Sequence, residues 1–434
     1  MNYFSLNKKA PNTTFEDAVV RGIAPDKGLY FPESITPLSK DFIENIENYT
    51  NNEIAFEAIK QFVGDEIPEV ELKRIIEETL CFDFPVVPVD ENISSLELYH
   101  GPTMAFKDVG ARFMARCLGY FNSKAKTQED VTVLVATSGD TGGAVASGFL
   151  GVQGVDVVIL YPSGKVSDIQ EKQLTTLGQN IKALEVNGTF DDCQAMVKNA
   201  FLDSDLTDYM KLTSANSINI ARWLPQMFYF FFAYKQLKDK SKKLVFSVPS
   251  GNYGNICAGM MAQKLGLPIH HFITGTNENK VVPTYLKTGR YEPKPSVQTI
   301  SNAMDVGAPS NFIRIEEIHN NNLEELRANL TGFSYSDKET TAALGHLLKS
   351  CNYIAEPHGA IGYLALKNYL KTNTDTQGIF LETAHPVKFL DVLYPGVAEE
   401  IEIPAQIQAV INLEKEATQI SEYNDLKAFL KTKN

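Results

Sequence analysis

Short apolar runs alternate with helical patterns through the middle of the chain. Val131-Thr132-Val133-Leu134-Val135 is followed by a glycine turn, a small-residue helix from Ala144 to Leu150, and Val155-Asp156-Val157-Val158-Ile159-Leu160. The rhythm continues through Ile181 to Val186, a helical pattern from Asp191 to Phe201, and Leu244 to Val248, with further strands expected at Pro268 to Ile273 and Gly378 to Leu381. Apolar runs of strand length separated by helices predict parallel strands with crossover helices, because such strands are covered on both faces. The expected fold class is therefore α/β, with two sheets facing one cleft. Residues 1–95 lack this rhythm and close on the proline-rich Phe84-Pro85-Val86-Val87-Pro88, which predicts an N-terminal accessory domain.

Composition narrows the possible partners. Apolar residues at 44% and charged residues at 21% are those of a globular protein, and 434 residues suffice for two or three domains. A net charge of -13 without a basic block disfavours nucleic acid. The longest apolar run, Met227 to Tyr234, is far short of the ~20 residues that span a bilayer, so no membrane partner is expected. Met1 to Lys9 resembles neither a signal peptide nor a transit sequence, which makes the cytoplasm the expected location. Cys81, Cys117, Cys193, Cys257 and Cys351 are scattered, the seven histidines are dispersed apart from His270-His271, and no metal site is expected.

Three segments carry chemistry. In His100-Gly101-Pro102-Thr103-Met104-Ala105-Phe106-Lys107-Asp108 a lysine stands where a turn becomes a helix with Val109, Phe113 and Cys117 on one face. The partial positive charge of a helix start disfavours an ammonium, so Lys107 is a candidate Schiff-base lysine; a surface lysine at a helix start reads the same way alone. Thr137-Ser138-Gly139-Asp140-Thr141-Gly142-Gly143 joins an apolar strand to a helix, and its amides suit a carboxylate. A tight turn without a ligand has the same composition. Ser250-Gly251-Asn252-Tyr253-Gly254-Asn255 follows the strand Leu244 to Val248 and opens a helix to Leu265, a shape suited to a phosphate held by backbone and side-chain amides. Neither turn is a Walker or Rossmann fingerprint.

Taken in order, these segments resemble those of fold-type II pyridoxal-phosphate (PLP) enzymes, and their wording resembles the threonine synthase family. Similar text runs through Gly164-Lys165-Val166-Ser167, Ile169-Gln170, Asn216-Ser217-Ile218-Asn219, Ala221-Arg222, Asp305-Val306-Gly307, Pro309-Ser310-Asn311-Phe312 and Thr383-Ala384-His385-Pro386. Gly28-Leu29-Tyr30-Phe31-Pro32 is similar to the family's opening domain, with Lys27 where glycine is common.

The resemblance implies a tryptophan synthase β-like fold. Residues 1–95 would form the accessory domain, 96–120 with 225–434 a large PLP-binding domain, and 121–224 a small α/β domain. It implies Lys107 as catalytic lysine, the loop of Ser250, Gly251, Asn252, Tyr253, Gly254 and Asn255 as the cup for the cofactor phosphate, and Thr383 as hydroxyl partner of the pyridine nitrogen. Ser138, Gly139, Asp140 and Thr141 would hold the substrate carboxylate. Lys165, Ser167, Asn216, Asn219 and Arg222 are candidates for the phosphate of O-phosphohomoserine, with Arg112 and Arg116 behind them. Tyr253 as loop filler and His358 and His385 as hydrogen-bonded structural groups are preferred to catalytic roles. The implied reaction converts O-phosphohomoserine and water to threonine and phosphate, in a monomer or homodimer. A serine/threonine dehydratase or a cysteine synthase would share the lysine and both turns, whereas intact Lys107 and Thr383 argue against a PLP-binding non-catalytic homologue.

Overall fold

The computed structural model describes residues 1–125, 130–393, 397 and 401–432. Contacts divide the chain into two compact units. One comprises Met1, Phe31–Phe106 and Trp223–Glu402, and the other Asn2–Tyr30, Lys107–Arg222 and Ile403–Asn434.

The first unit is built on a six-stranded sheet in the order Leu330–Ser334, His271–Thr276, Lys243–Pro249, Thr376–Glu382, Ile93–Glu97, Val86–Asp90. All neighbours are parallel except the last pair. The helix Pro357–Leu370 covers one face, packing Ile361 and Leu366 against Val245, Ile273 and Phe380. Met227 to Tyr234 falls mainly in a second helix, Phe228–Lys235, which is apolar on every side and buried. An all-apolar helix of this length belongs inside a domain. Among the described residues no helix is long and apolar enough to cross a membrane.

The second unit holds a five-stranded parallel sheet in the order Thr418–Ile420, Ile181–Val186, Val155–Pro162, Val131–Ala136, Lys211–Ser214. Leu134, Val158 and Leu184 pack against Cys193 and Val197 of the helix Phe190–Leu202, and Leu426 and Leu430 close the same cluster. Each fully buried Leu or Val contributes roughly 1.5–3 kcal/mol. Residues 2–30 make their contacts with this unit, whereas the rest of the N-terminal stretch belongs with the other sheet.

Two boundaries differ from the sequence expectation for local reasons. The strand expected from Pro268 begins at His271, since proline offers no N–H to a ladder. The helix expected from Ala144 begins at Asp140, because the glycine turn forms its first turn, with Gly142 N donating to Thr137 Oγ1 at 2.8 Å.

Candidate active site

In the first unit the strand Lys243–Pro249 runs into the loop Ser250–Asn255, and the helix Gly254–Lys264 starts there. The side chains of the loop build its shape. Ser250 Oγ donates to Asn255 Oδ1 at 3.1 Å, Asn255 Nδ2 donates to Pro249 O at 2.8 Å, and Asn252 Oδ1 accepts from Ser310 Oγ at 3.0 Å. Tyr253 takes the left-handed conformation (φ 63°) and is buried beneath the loop, its hydroxyl accepting from Thr274 Oγ1 at 3.1 Å. Burial pushes its phenol well above the ordinary tyrosine range, which keeps the hydroxyl protonated at neutral pH. The backbone amides of Gly251, Asn252, Tyr253, Gly254 and Asn255 donate to no acceptor among the described residues. Uncommitted amides around a helix start fit a phosphate group, and the Asn255 side-chain amide expected to join them is engaged inside the loop.

Thr383 follows the neighbouring parallel strand. Phe380 is opposite Ser247, so continuing the register for three residues brings Thr383 level with Ser250. Phe106 N donates to Thr383 O at 2.8 Å and Ala105 pairs with Ala384, which anchors the segment immediately before Lys107 to the same strand end. Lys388 Nζ, buried, donates to Thr103 O at 2.8 Å and fixes that segment further.

Behind Thr383 lies a buried polar cluster. Thr383 Oγ1 is 3.2 Å from Glu356 Oε1, which also accepts from Gly359 N at 3.1 Å. Glu356 Oε2 accepts from His358 N at 2.8 Å and pairs with His358 Nδ1, while His358 Nε2 lies 3.2 Å from Ala303 N. Glu382 is fully buried, with Oε1 2.7 Å from Glu356 N and no partner for Oε2 among the described residues. Burial first, then the charge of Glu356, raises the Glu382 carboxyl well above the ordinary range. A Cβ at position 359 would lie 1.6 Å from Glu382 Oε2, so a larger residue there requires the Glu382 side chain to move.

The second unit carries Lys107 as the first residue of the helix Lys107–Lys124. Its Nζ lies 3.8 Å from Asp140 Oδ2 at the start of the helix Asp140–Phe149. An opposite charge at that range favours the ammonium, an influence that opposes the helix start. Asp140 is oriented by buried Gln170, whose Nε2 donates to Oδ1 at 2.8 Å. Thr137 Oγ1 accepts from Gly139 N at 2.9 Å and Gly142 N at 2.8 Å, so part of this turn is satisfied from within.

The remaining candidates divide by burial. Lys165 is exposed. Ser167 caps the helix Asp168–Thr175 and donates to Gln170 Oε1 at 3.2 Å. Asn216 Nδ2 donates to Ala136 O at 2.9 Å. Asn219 is fully buried, with Nδ2 on Val19 O (2.9 Å) and Ser214 O (3.2 Å) and Oδ1 accepting from Ala221 N (3.0 Å). Arg222 is 2% exposed and donates to Ala215 O. His385 accepts from Val387 N at 3.1 Å, and burial lowers its pKa to about 4. Asp90, His346 and Cys351 converge elsewhere, but Lys367 Nζ stands 3.2 Å from Asp90 Oδ2 and 3.0 Å from His346 Nε2, the place a cation would take.

Sequence reasoning assigned no role to Glu356, Glu382, Gln170 or Thr137. Glu356 carried a local signal, an acidic cap before Pro357 at the first helical position. Nothing local marks Glu382, which ends an apolar strand.

The arrangement matches known proteins along almost its whole length. Residues 93–378 match the family described as pyridoxal-phosphate dependent enzyme, residues 2–80 the threonine synthase N terminus, and residues 359–430 the threonine synthase C-terminal family. The chain is 44% identical to threonine synthase of Haemophilus influenzae over 405 residues, 93% of each chain. It is similar to the crystal structure of threonine synthase from Escherichia coli, with a TM-score of 0.93 and 38% identity over 100% of both chains. It is also similar to the PLP-bound threonine synthase structure from Brucella melitensis, with a TM-score of 0.91 and 33% identity over 100% of this chain and 99% of that one.

Proposed function

Because the chain belongs to the threonine synthase family of pyridoxal-phosphate dependent enzymes, its cofactor is PLP and its product threonine, and we propose that its substrate is O-phosphohomoserine. The observation that carries the site assignment is the set of uncommitted amides at residues 251–255, level with Thr383 on the adjacent strand. These amides would hold the cofactor phosphate through N–H donors and the helix start, and Thr383 would serve as hydroxyl partner of the ring nitrogen. When bound, PLP supplies an electron sink for negative charge at the substrate Cα.

Lys107 is the covalent anchor and then the base that takes the Cα proton. Asp140 holds its amine in position when it is free. The turn at Ser138, Gly139, Asp140 and Thr141 orients the substrate carboxylate with those amides that Thr137 leaves uncommitted. Exposed Lys165 is the cation offered to the substrate phosphate, with Ser167 two residues further on and Asn216 as additional donors. Asn219 and Arg222 act by holding the 214–222 segment in shape. Phosphate leaves from Cγ, a proton is lost from Cβ and one is gained at Cγ, and the hydroxyl of water adds at Cβ while its proton leaves with the phosphate. Five cysteines without a disulfide fit a reducing compartment, so the proposed location is the cytoplasm.

The test is to incubate the PLP-loaded protein with O-phosphohomoserine and measure threonine and phosphate together. Equal amounts of both are expected, with homoserine a poor substitute. Release of 2-oxobutyrate as main product, or equal use of homoserine, would refute the substrate assignment.

A further inference from the structure

We infer that Glu356 is a positioning residue that acts through Thr383 to keep a proton on the ring nitrogen of the cofactor. This rests on the proposed placement of Thr383 beside that nitrogen. By residue type alone, a threonine hydroxyl would donate its proton to the ring and leave the nitrogen unprotonated. The surroundings of Thr383 reverse that direction.

The argument starts at Ala303, whose amide can only donate. His358 Nε2, 3.2 Å away, must therefore present its lone pair, which puts the imidazole hydrogen on Nδ1. Nδ1 then donates to Glu356 Oε2, as does His358 N. Gly359 N, again only a donor, takes one site on Oε1, and the Thr383 hydroxyl at 3.2 Å takes the other. A carboxylate has about four acceptor sites, and here four donors fill them. No site is left for a proton on Glu356.

The neighbouring carboxyl completes the picture. Glu382 meets a single donor, Glu356 N, and its Oε2 has no partner among the described residues. Of two adjacent buried carboxyls, the one with four donors holds the charge and the one with a single donor holds the proton. The raised Glu382 carboxyl agrees with this division.

The single hydroxyl proton of Thr383 is thus committed to Glu356, and only its lone pairs remain for a ligand. A ring nitrogen beside an acceptor can make a hydrogen bond only as N–H. Glu356 supplies, through one hydroxyl, the negative charge that favours this protonated form.

The test uses the full-length protein loaded with PLP labelled with ¹⁵N at the ring, followed by NMR across pH. The native ring nitrogen should show the shift of a protonated pyridine at neutral pH. Glu356→Gln removes the charge but keeps an oxygen for the Gly359 amide, and should lower the nitrogen's proton affinity at least tenfold. Thr383→Ser should retain the native shift, and Thr383→Val should lose it. Turnover of Glu356→Gln should fall in kcat with little change in KM. An unprotonated native nitrogen, or a protonated one in Glu356→Gln, would overturn the inference. No change in Thr383→Val would instead remove Thr383 from the ring and sink the site assignment on which it rests.

Discussion

The two glycine turns look alike in sequence yet handle their amides in opposite ways. Both join a parallel strand to a helix, one after Val131–Ala136 and the other after Lys243–Pro249. In the first, Thr137 Oγ1 accepts from Gly139 N and Gly142 N and closes the turn on itself. In the second, the Ser250 hydroxyl turns to Asn255 Oδ1 and Val248 O, and the amides of residues 251–255 remain open. Glycine content therefore marks where backbone can approach a ligand. The hydroxyl residue that opens the turn decides how many donors a ligand finds.

The largest effect expected is at the lysine beside the first turn. Lys107→Ala should lower threonine formation by about 10²–10⁴-fold or more, with no PLP fixed by borohydride. Borohydride labelling of another lysine would detach catalysis from the Lys107–Asp140 pair. Next comes the second turn, where a Cβ on Gly251 would lie 2.6 Å from Ala303 O and 2.9 Å from Met304 Cα. Gly251→Ala should cost about 1–3 kcal/mol, read as about five- to hundredfold weaker PLP binding in a fluorescence titration. Unchanged PLP affinity would mean that the open amides are not the phosphate cup.

Thr137→Val should act on stability and substrate instead. It leaves two turn amides without their acceptor, about 1–3 kcal/mol for each buried group, measurable as a lower Tm with PLP affinity retained. Thr137→Ser should restore the native Tm. If Thr137→Val weakened PLP binding as much as Gly251→Ala, the division between the turns would collapse.

The smallest effect is a slope. Glu382 has a raised folded-state pKa, so its contribution is fully present below the ordinary glutamate pKa of about 4.3 and is lost as pH rises toward the folded value. Unfolding free energy should decline over that rise by at most about 1.4 kcal/mol per pH unit for one group. Glu382→Gln, which cannot ionise, should flatten the decline in denaturant titrations at several pH values. A Glu382→Gln profile that runs parallel to the native one would show that Glu382 keeps its charge in the folded protein.

The α/β class, six of the strand runs, Lys107 at a helix start and the two turns were legible in order along the chain, whereas the strands Val86–Asp90, Ile93–Glu97, Lys211–Ser214, Leu330–Ser334 and Thr418–Ile420 were not. Each legible feature rests on short-range signals, namely runs of Val, Ile and Leu, glycines at strand ends and a lysine at a change of pattern. The helix start at Asp140 was misjudged because a hydroxyl three residues upstream of Asp140 organises the turn, and composition does not report hydrogen-bond direction. The grouping of residues 2–30 with 107–222 and 403–434 was not legible, since it depends on contacts between segments far apart in sequence.

By itself the sequence determined the layer pattern, the lysine, the loop that offers its amides and the family text around them, because period and turn chemistry are local properties. Only the tertiary structure decided which groups were already engaged. Asn219 reads as a phosphate ligand until Val19 O and Ser214 O are found on its amide, and Thr383 reads as a donor until Glu356 is found beside it. A side chain's chemistry depends on the protons and lone pairs its neighbours leave free. Those neighbours arrive from other elements, here from the cap of the helix Pro357–Leu370 and from the helix Phe15–Arg21, 27 and 200 residues away.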